Sequence, residues 1–434
     1  MSPMTRPSFL IVAYDLLGPL HAGPAVRTLG LAGELAKLGT VDILFSGEAP
    51  SVITKNINFI PIDKFDRSSF AQYSAGIVPP LIAFTLPEIL DSDIPLVVDL
   101  FDPVIWENLD LYGNKPLPEQ EFQHERHLAA LTASMLRGDY FLVAGERQQD
   151  LFTGALMSLN RINPLTFKPG EGPEQMVGMV PFGLPSLPPP SPGSIKVPGE
   201  YKVESPLIVW GGGLWDWLKP ELPVSAMPKI LKIFPDAILA FPGTRHPNPH
   251  IPEPESLKRV KNLAKNLGIE KSLIYGSWLP RDEYICLLTV VSCGVSAHNP
   301  GLESRYAVRT RFLDAFWTGL PMVVSGGDEY SGLISQYGLG KVIDSNASDE
   351  FAEAIIDIIK KGRGSFSGNF DRIRDKLTWE KTTIPLIEWL KSPRLTHGKG
   401  ISFFRDTLGE TSPRPRPNDL SSLIGRVLSK LKKI

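Results

Sequence analysis

The stretch PLIVWGGGLWDWLKP, residues 206–220, decides how the rest of the chain is read. An apolar run of strand character, Leu207-Ile-Val-Trp, ends in three glycines and then in a Trp-rich segment. Gly211, Gly212 and Gly213 do not make a dinucleotide fingerprint, because G-x-G-x-x-G requires a glycine where Asp216 stands. They are not a Walker loop either, since no GK[ST] follows. What remains is a glycine-rich turn after a strand, whose backbone either approaches an anion or packs a helix tightly against the sheet.

The apolar run is one of many. FLIVAY (9–14), VDILF, NFIPI, PLVVDLF and DYFLVA precede it, separated by helical patterns near 26–38, 120–137 and 146–159. LIVWGG, AILAFPG, SLIYGSW, VSCGVSAH, MVVSGG and KVID form a second series of six. Continuous apolar strands alternating with helices imply parallel sheets covered on both faces. The Pro-, Gly- and Ser-rich segment 186–205 separates the two series and reads as a linker. The expectation is an α/β chain of two doubly wound, Rossmann-like domains, 1–185 and 206–390, facing a central cleft, where open α/β sheets bind ligands.

Residues 391–434 differ in character. They carry ten Lys/Arg against three Asp/Glu, so this tail is about +7 and the rest about −9, within a net charge of −2. DLSSLIGRVLSKLKKI places six Leu/Ile/Val residues on one helical face with basic residues elsewhere. Such a basic amphipathic helix suits an anionic membrane surface, or packs back on the body. The overall charge gives no attraction to nucleic acid. With 42% hydrophobic and 21% charged residues, no spanning segment and only Cys286 and Cys293, the composition excludes a disulfide framework and a zinc site. A cytoplasmic protein, with peripheral attachment to the inner face of the plasma membrane through the tail, is the expectation.

Charged residues concentrate in HNPGLESRYAVRTRFLDAFWTGLPMVVSGGDE, 298–329. Arg309 and Arg311 have the planar forks that suit phosphate oxygens, and Asp314 is placed to accept from sugar hydroxyls or to pair with Arg311 one helical turn away. In the first half, Gly23-Pro24 opens a helix in the manner of a second anion-approaching turn. Asp99 and Asp102, at the end of PLVVDLF, are acceptor-side carboxylate candidates, or else cap the next segment. His246, in GTRHPNP, is the histidine placed nearest a cleft.

Several of these stretches resemble, in order, the group 1 (family 4) retaining glycosyltransferases of the GT-B fold, and in particular a subgroup with a Trp-rich turn. They are GPAVRTLGLAGELAKLG, VVDLFDPVIWENL, DYFLVAGERQQDLFTGAL and MVPFGLP, then WGGGLWDWLKP, FPGTRHPNP, GSWLPRDEY and RTRFLDAFWTGLPMVVSGGDE, spanning residues 9 to 345. The resemblance implies a UDP- or GDP-type sugar donor on the second domain and a saccharide or lipid-linked saccharide acceptor on the first. It also implies transfer to a hydroxyl with retained configuration, in polysaccharide or glycolipid assembly, without obligatory metal or further cofactor. The family's second carboxylate of its Glu-x7-Glu pattern falls on Asp314, a ribose ligand, while its first falls on Tyr306. Glu303 is the nearest substitute. Backbone around Arg309 and Thr310 faces the diphosphate, and of the family's Arg/Lys pair only Lys219 is present, with Arg245, Arg309 or Arg311 supplying the missing charge. The departures at Tyr306 and beside Lys219 keep open a non-catalytic sugar-nucleotide-binding scaffold, and a related epimerase or coupling enzyme.

Overall fold

In the computed structural model, residues 6–20, 22–50, 54–164, 166–191, 205–248, 251 and 253–396 are described. The first sheet has seven parallel strands: β1 (Ser8–Val12), β2 (Thr40–Phe45), β3 (Ile57–Pro61), β4 (Ala75–Val78), β5 (Leu96–Asp99), β6 (Tyr140–Val143) and β7 (Val177–Met179), in the order β3-β2-β1-β4-β5-β6-β7. Around it lie α1 (Gly23–Leu35), α2 (Val104–Leu111), α3 (Leu117–Arg137) and α4 (Glu146–Ser158). The second sheet has six parallel strands: β8 (Leu207–Trp210), β9 (Ile238–Phe241), β10 (Leu273–Tyr275), β11 (Cys293–Ser296), β12 (Met322–Ser325) and β13 (Gly340–Ile343), in the order β10-β9-β8-β11-β12-β13. Its helices are α5 (Glu221–Ile233), α6 (Glu255–Asn266), α7 (Arg281–Val290), α8 (Leu302–Tyr306), α9 (Thr310–Thr318), α10 (Glu329–Tyr337), α11 (Ser348–Lys361) and α12 (Ser367–Arg374).

Both sheets therefore have the doubly wound order in which the winding reverses beside the first strand. The reversal lies between β1 and β4 in one sheet and between β8 and β11 in the other. The loop after β1 and the WGGG turn after β8 leave from these two switch points. Strands such as Leu96-Val-Val-Asp and Met322-Val-Val-Ser are buried at every position, as central parallel strands covered on both faces must be.

All six expected strands of the second half are present, and five of the first half. β4 and β7 escape the sequence reading because they are only four and three residues long and contain glycine, which weakens any strand signal.

After α12 the chain returns to the first domain. Leu184 and Thr378 form a parallel bridge, so the outgoing and returning crossings run side by side. α13 (Trp379–Thr382) and α14 (Ile384–Leu390) follow. Trp389 stacks on Tyr140 at 5.1 Å, and the Thr396 hydroxyl donates to the Asp139 carboxylate at 3.1 Å. Gly183 and Gly30 make room for this return: a Cβ at Gly183 would lie 2.5 Å from the Trp379 Cα, and one at Gly30 2.2 Å from the Trp379 ring. The basic helix expected after residue 414 lies outside the described residues, as does most of the 186–205 linker. Among the described residues no helix is long and apolar enough to cross a membrane.

Candidate active-site cleft

Between the two switch points lies a cavity of about 820 Å³ with walls from both domains. It is within the size range of small-ligand sites. Of the residues singled out from the sequence, Gly23, Pro24, Asp102, Gly212, Gly213, Arg309, Thr310, Arg311, Asp314 and His246 line it.

Two helix N-termini meet at its floor. α1 begins at Gly23 and α9 at Thr310, and a Cβ on Gly23 would fall 2.7 Å from the Thr310 hydroxyl. Neither helix has a side-chain cap. The positive ends of both dipoles therefore converge on one point, an arrangement that favours an anion; the free amides there belong mainly to α9, since Pro24 has no N–H and Ala25 and Val26 donate to the Ala22 carbonyl.

Arg311 stands beside that point. Its Nη2 donates to the Gly213 carbonyl at 3.1 Å, and its guanidinium lies 5.4 Å over the Trp210 ring. Its Nη1 is buried with no partner. Burial, with Arg309 nearby, pulls its pKa down to about 9. A buried cation with a free donor is costly unless an anion joins it. The glycine turn serves this arginine more than a ligand. Gly212 has a φ of 70°, which favours glycine, and its amide already donates to the Tyr284 hydroxyl at 3.1 Å. A Cβ at Gly213 would lie 3.1 Å from Trp278.

Arg309 and Asp314 are held differently. Arg309 grips Glu303 through two bonds of 3.0 and 2.9 Å, both side chains being buried. Its Nε is also 3.7 Å from Asp328, whose pKa is raised to about 6 by burial despite Arg309. Asp314 accepts both terminal nitrogens of Arg281, at 2.8 Å for one of them. Sequence reading missed Arg281, which is 33 positions from its partner; only its place at the start of a helix after GSWLP offered a cue.

The structure does not bring Asp99, Glu303, Lys219, Arg245 or Gly211 to the cavity wall. Asp99 is bound at 2.6 and 2.7 Å by Arg27, a fully buried arginine that also donates to the Val180 carbonyl. Glu303 is taken up by Arg309. Lys219 follows Leu218, whose bridge to His298 carries the chain along the end of β11. Arg245 is exposed and pairs with Glu253 at 3.3 Å. Gly211 is covered by the Arg311 stem, 3.4 Å from where its Cβ would lie.

On the first-domain side, Asp102 is joined by Glu107 and Tyr14, neither singled out from the sequence. Burial raises Asp102 to about 6, against hydrogen bonds from Glu107 and Tyr14 that lower it. Burial first, then the Asp102 charge, holds Glu107 well above the ordinary carboxylate range. The mouth carries stacked Trp215 and Trp217 (4.9 Å), with His246 5.5 Å from Trp215 and 5.1 Å from Trp278. His246 also reaches across the domains to Asp15, at 3.8 Å.

No protein-family model and no curated protein matches the sequence. Solved structures do match the fold. HepE of Anabaena in complex with UDP-glucose is 14% identical, with a TM-score of 0.62 over 89% of this chain and 99% of that one. Sucrose-phosphate synthase of Thermosynechococcus elongatus is 13% identical, with a TM-score of 0.59 over 89% and 98%. An α,α-trehalose-phosphate synthase (UDP-forming) of Burkholderia xenovorans, in complex with glucose-6-phosphate, is 11% identical, with a TM-score of 0.57 over 89% and 100%. The chain has the GT-B fold, as the sequence resemblance implied.

Proposed function

We propose that this chain is a glycosyltransferase that moves a glycosyl group from a nucleoside-diphosphate sugar to an acceptor hydroxyl, with retention of configuration and without a required metal. The observation that carries the reading is Arg311. Its buried, unpartnered Nη1 stands where two uncapped helix N-termini converge inside the cleft. A diphosphate supplies the oxygens that this arrangement lacks. HepE, which shares the fold, holds UDP-glucose in its structure. Retention and a role in polysaccharide or glycolipid assembly rest on the sequence resemblance.

In the reaction the C1–O bond breaks toward the diphosphate, which leaves with the bonding pair. Arg311, the α9 N-terminal amides and the positive ends of the α9 and α1 dipoles stabilise the charge that develops there. The acceptor oxygen bonds to C1 on the same face, and its proton passes to a base, the role assigned to ionised Asp102, whose pKa is raised only to about 6 while Glu107 is held well above the ordinary range. The main catalytic contributions are thus fixed positive potential and positioning. Asp314, released from Arg281 or still bridged to it, serves as the ribose acceptor.

One observation favours a second reading, a sugar-nucleotide-binding scaffold: Glu303 and Asp314, the two carboxylates nearest the family pattern, are both occupied by arginines. Incubation with labelled UDP- and GDP-sugars and saccharide acceptors separates the two. Transfer or donor hydrolysis supports the enzyme, and binding without either supports the scaffold. Failure to bind any nucleotide diphosphate sinks both.

A further inference from the structure

The walls of the cleft divide by charge. The second domain supplies three arginines to it, Arg281, Arg309 and Arg311, beside the carboxylates Asp282 and Asp314. Two are already neutralised, by Asp314 and Glu303, and the third lies against the glycine turn at the donor end. The first domain supplies three carboxyl side chains, Asp15, Asp102 and Glu107, and among the described residues no lysine or arginine. The pKa of its one basic lining residue, His127, is lowered by burial and by the adjacent Arg126 and His124, although its Nδ1 contacts the Gln123 carbonyl.

We propose, building on the glycosyltransferase reading, that the acceptor arm on the first domain selects a neutral hexose or hexose-terminated saccharide and rejects a phosphorylated sugar. A sugar phosphate seated there would bring two negative charges towards the acidic Asp102–Glu107 pair, with the Glu303 charge acting on both, and would meet no lysine or arginine among the first-domain lining residues. Arg309 is held on both terminal nitrogens by Glu303 and has its Nε 3.7 Å from Asp328, while Arg126, next to His127 in sequence, lies over the Phe84 and Phe122 rings instead of on the cleft wall. Like charges facing each other reject the wrong partner more strongly than good contacts select the right one.

What the arm offers instead matches hydroxyl groups. The Asp102 and Glu107 carboxyls hydrogen-bond each other, so the pair presents both an acceptor and a shared proton. The Asn108 side-chain amide nitrogen is buried with no partner, one helical position further along α2. Leu81, Val104 and Leu111 give the apolar surface that the C–H face of a sugar ring requires. Asn108 and Leu111 come from the same helix as Glu107, so hydroxyl-binding and apolar groups are set in fixed relation. Asp102 immediately precedes that helix.

The experiment uses the full chain loaded with UDP and matched pairs of acceptors: glucose, galactose, mannose and fructose, each with its 6-phosphate. Binding is measured by calorimetry, and transfer from UDP-glucose by labelled product. The expected result is that at least one free hexose binds and that its 6-phosphate binds tenfold or more weakly. Glu107→Gln should raise KM for that hexose tenfold while leaving UDP affinity within twofold, a split that general damage to the fold would not give. The proposal is overturned if any 6-phosphate binds or reacts better than its free hexose, or if no member of any pair binds while UDP does. Loss of UDP binding in the wild-type chain would instead refute the donor-site reading on which the proposal stands.

Discussion

Replacing Arg311 with methionine should weaken UDP binding and, at the same time, leave the empty protein as stable as before or more so. The two effects come from one cause. In the empty cleft the guanidinium is desolvated, its Nη1 has no partner, and its pKa is pulled down to about 9. At about 1.4 kcal/mol per tenfold in protonation, the fold bears a cost of several kcal/mol to keep that charge. Methionine keeps most of the stem that covers Gly211 and removes the charged group over Trp210, relieving the cost. With a diphosphate bound, the same group makes charge-assisted hydrogen bonds worth about 1.5–3 kcal/mol each, backed by Coulomb attraction of about 4 kcal/mol at 4 Å in a medium of effective dielectric 20. Counting the loss of the Gly213 bond and some replacement by water, a net loss of roughly 2–4 kcal/mol is reasonable, or about 30- to 1000-fold in Kd. Isothermal titration with UDP gives the affinity, and thermal melting without ligand gives the stability. The added rise in Tm that saturating UDP produces should shrink in the variant. The reasoning is refuted if methionine leaves UDP affinity within twofold, or if the empty variant melts several degrees lower, as a residue whose role is packing would make it.

Asp99→Asn should act on the fold: breaking the buried pair with Arg27 costs about 3–5 kcal/mol, so Tm should fall by roughly 10 °C with kcat/KM near wild type well below the melt. Loss of kcat with an unchanged melt would return Asp99 to the chemistry. If ionised Asp102 takes the acceptor proton, kcat/KM should drop tenfold per pH below about 6, the value to which burial raises it, and Asp102→Asn should abolish that limb together with most of kcat. The sign separates this from acid unfolding. Because the folded pKa lies above the unfolded one, Asp102 favours the fold at acid pH, and that contribution disappears as pH rises through about 6. A wild-type profile flat from pH 5 to 8 would remove Asp102 as the base.

The fold was legible because a central parallel strand writes itself as an unbroken apolar run, as in FLIV and LIVW, and glycines mark the turns that follow. β4 (Ala-Gly-Ile-Val) and β7 (Val-Gly-Met) were not, since their glycines leave each short strand only two large apolar side chains. The site divides in the same way. Arg309, Arg311 and Asp314 stand on one helix start and could be found as a local cluster. Their occupation could not: Glu303 is within reach in sequence, but Arg281 meets Asp314 only because α7 and α9 pack together. Arg27 looks like an ordinary helical arginine until β5 places Asp99 beneath it. Asp102 could be named from the end of its strand, whereas Glu107 acquires meaning only from the turn that starts α2 and faces it toward the cleft.

The paired crossings at Leu184 and Thr378 have a mechanical consequence. Two covalent connections that lie side by side, hydrogen-bonded to each other and wedged by one tryptophan, form a single flexure. Separated connections would brace the domains covalently; with adjacent ones, a rotation about this flexure is opposed by contacts such as the Gln148 side-chain bond to the Tyr306 carbonyl, at 2.7 Å. A rotation about that flexure would change the gap between Gly23 and Thr310 and part His246 from Asp15, which are 3.8 Å apart. One such movement would open the anion floor and the aromatic mouth together, coupling substrate entry to assembly of the diphosphate-binding point.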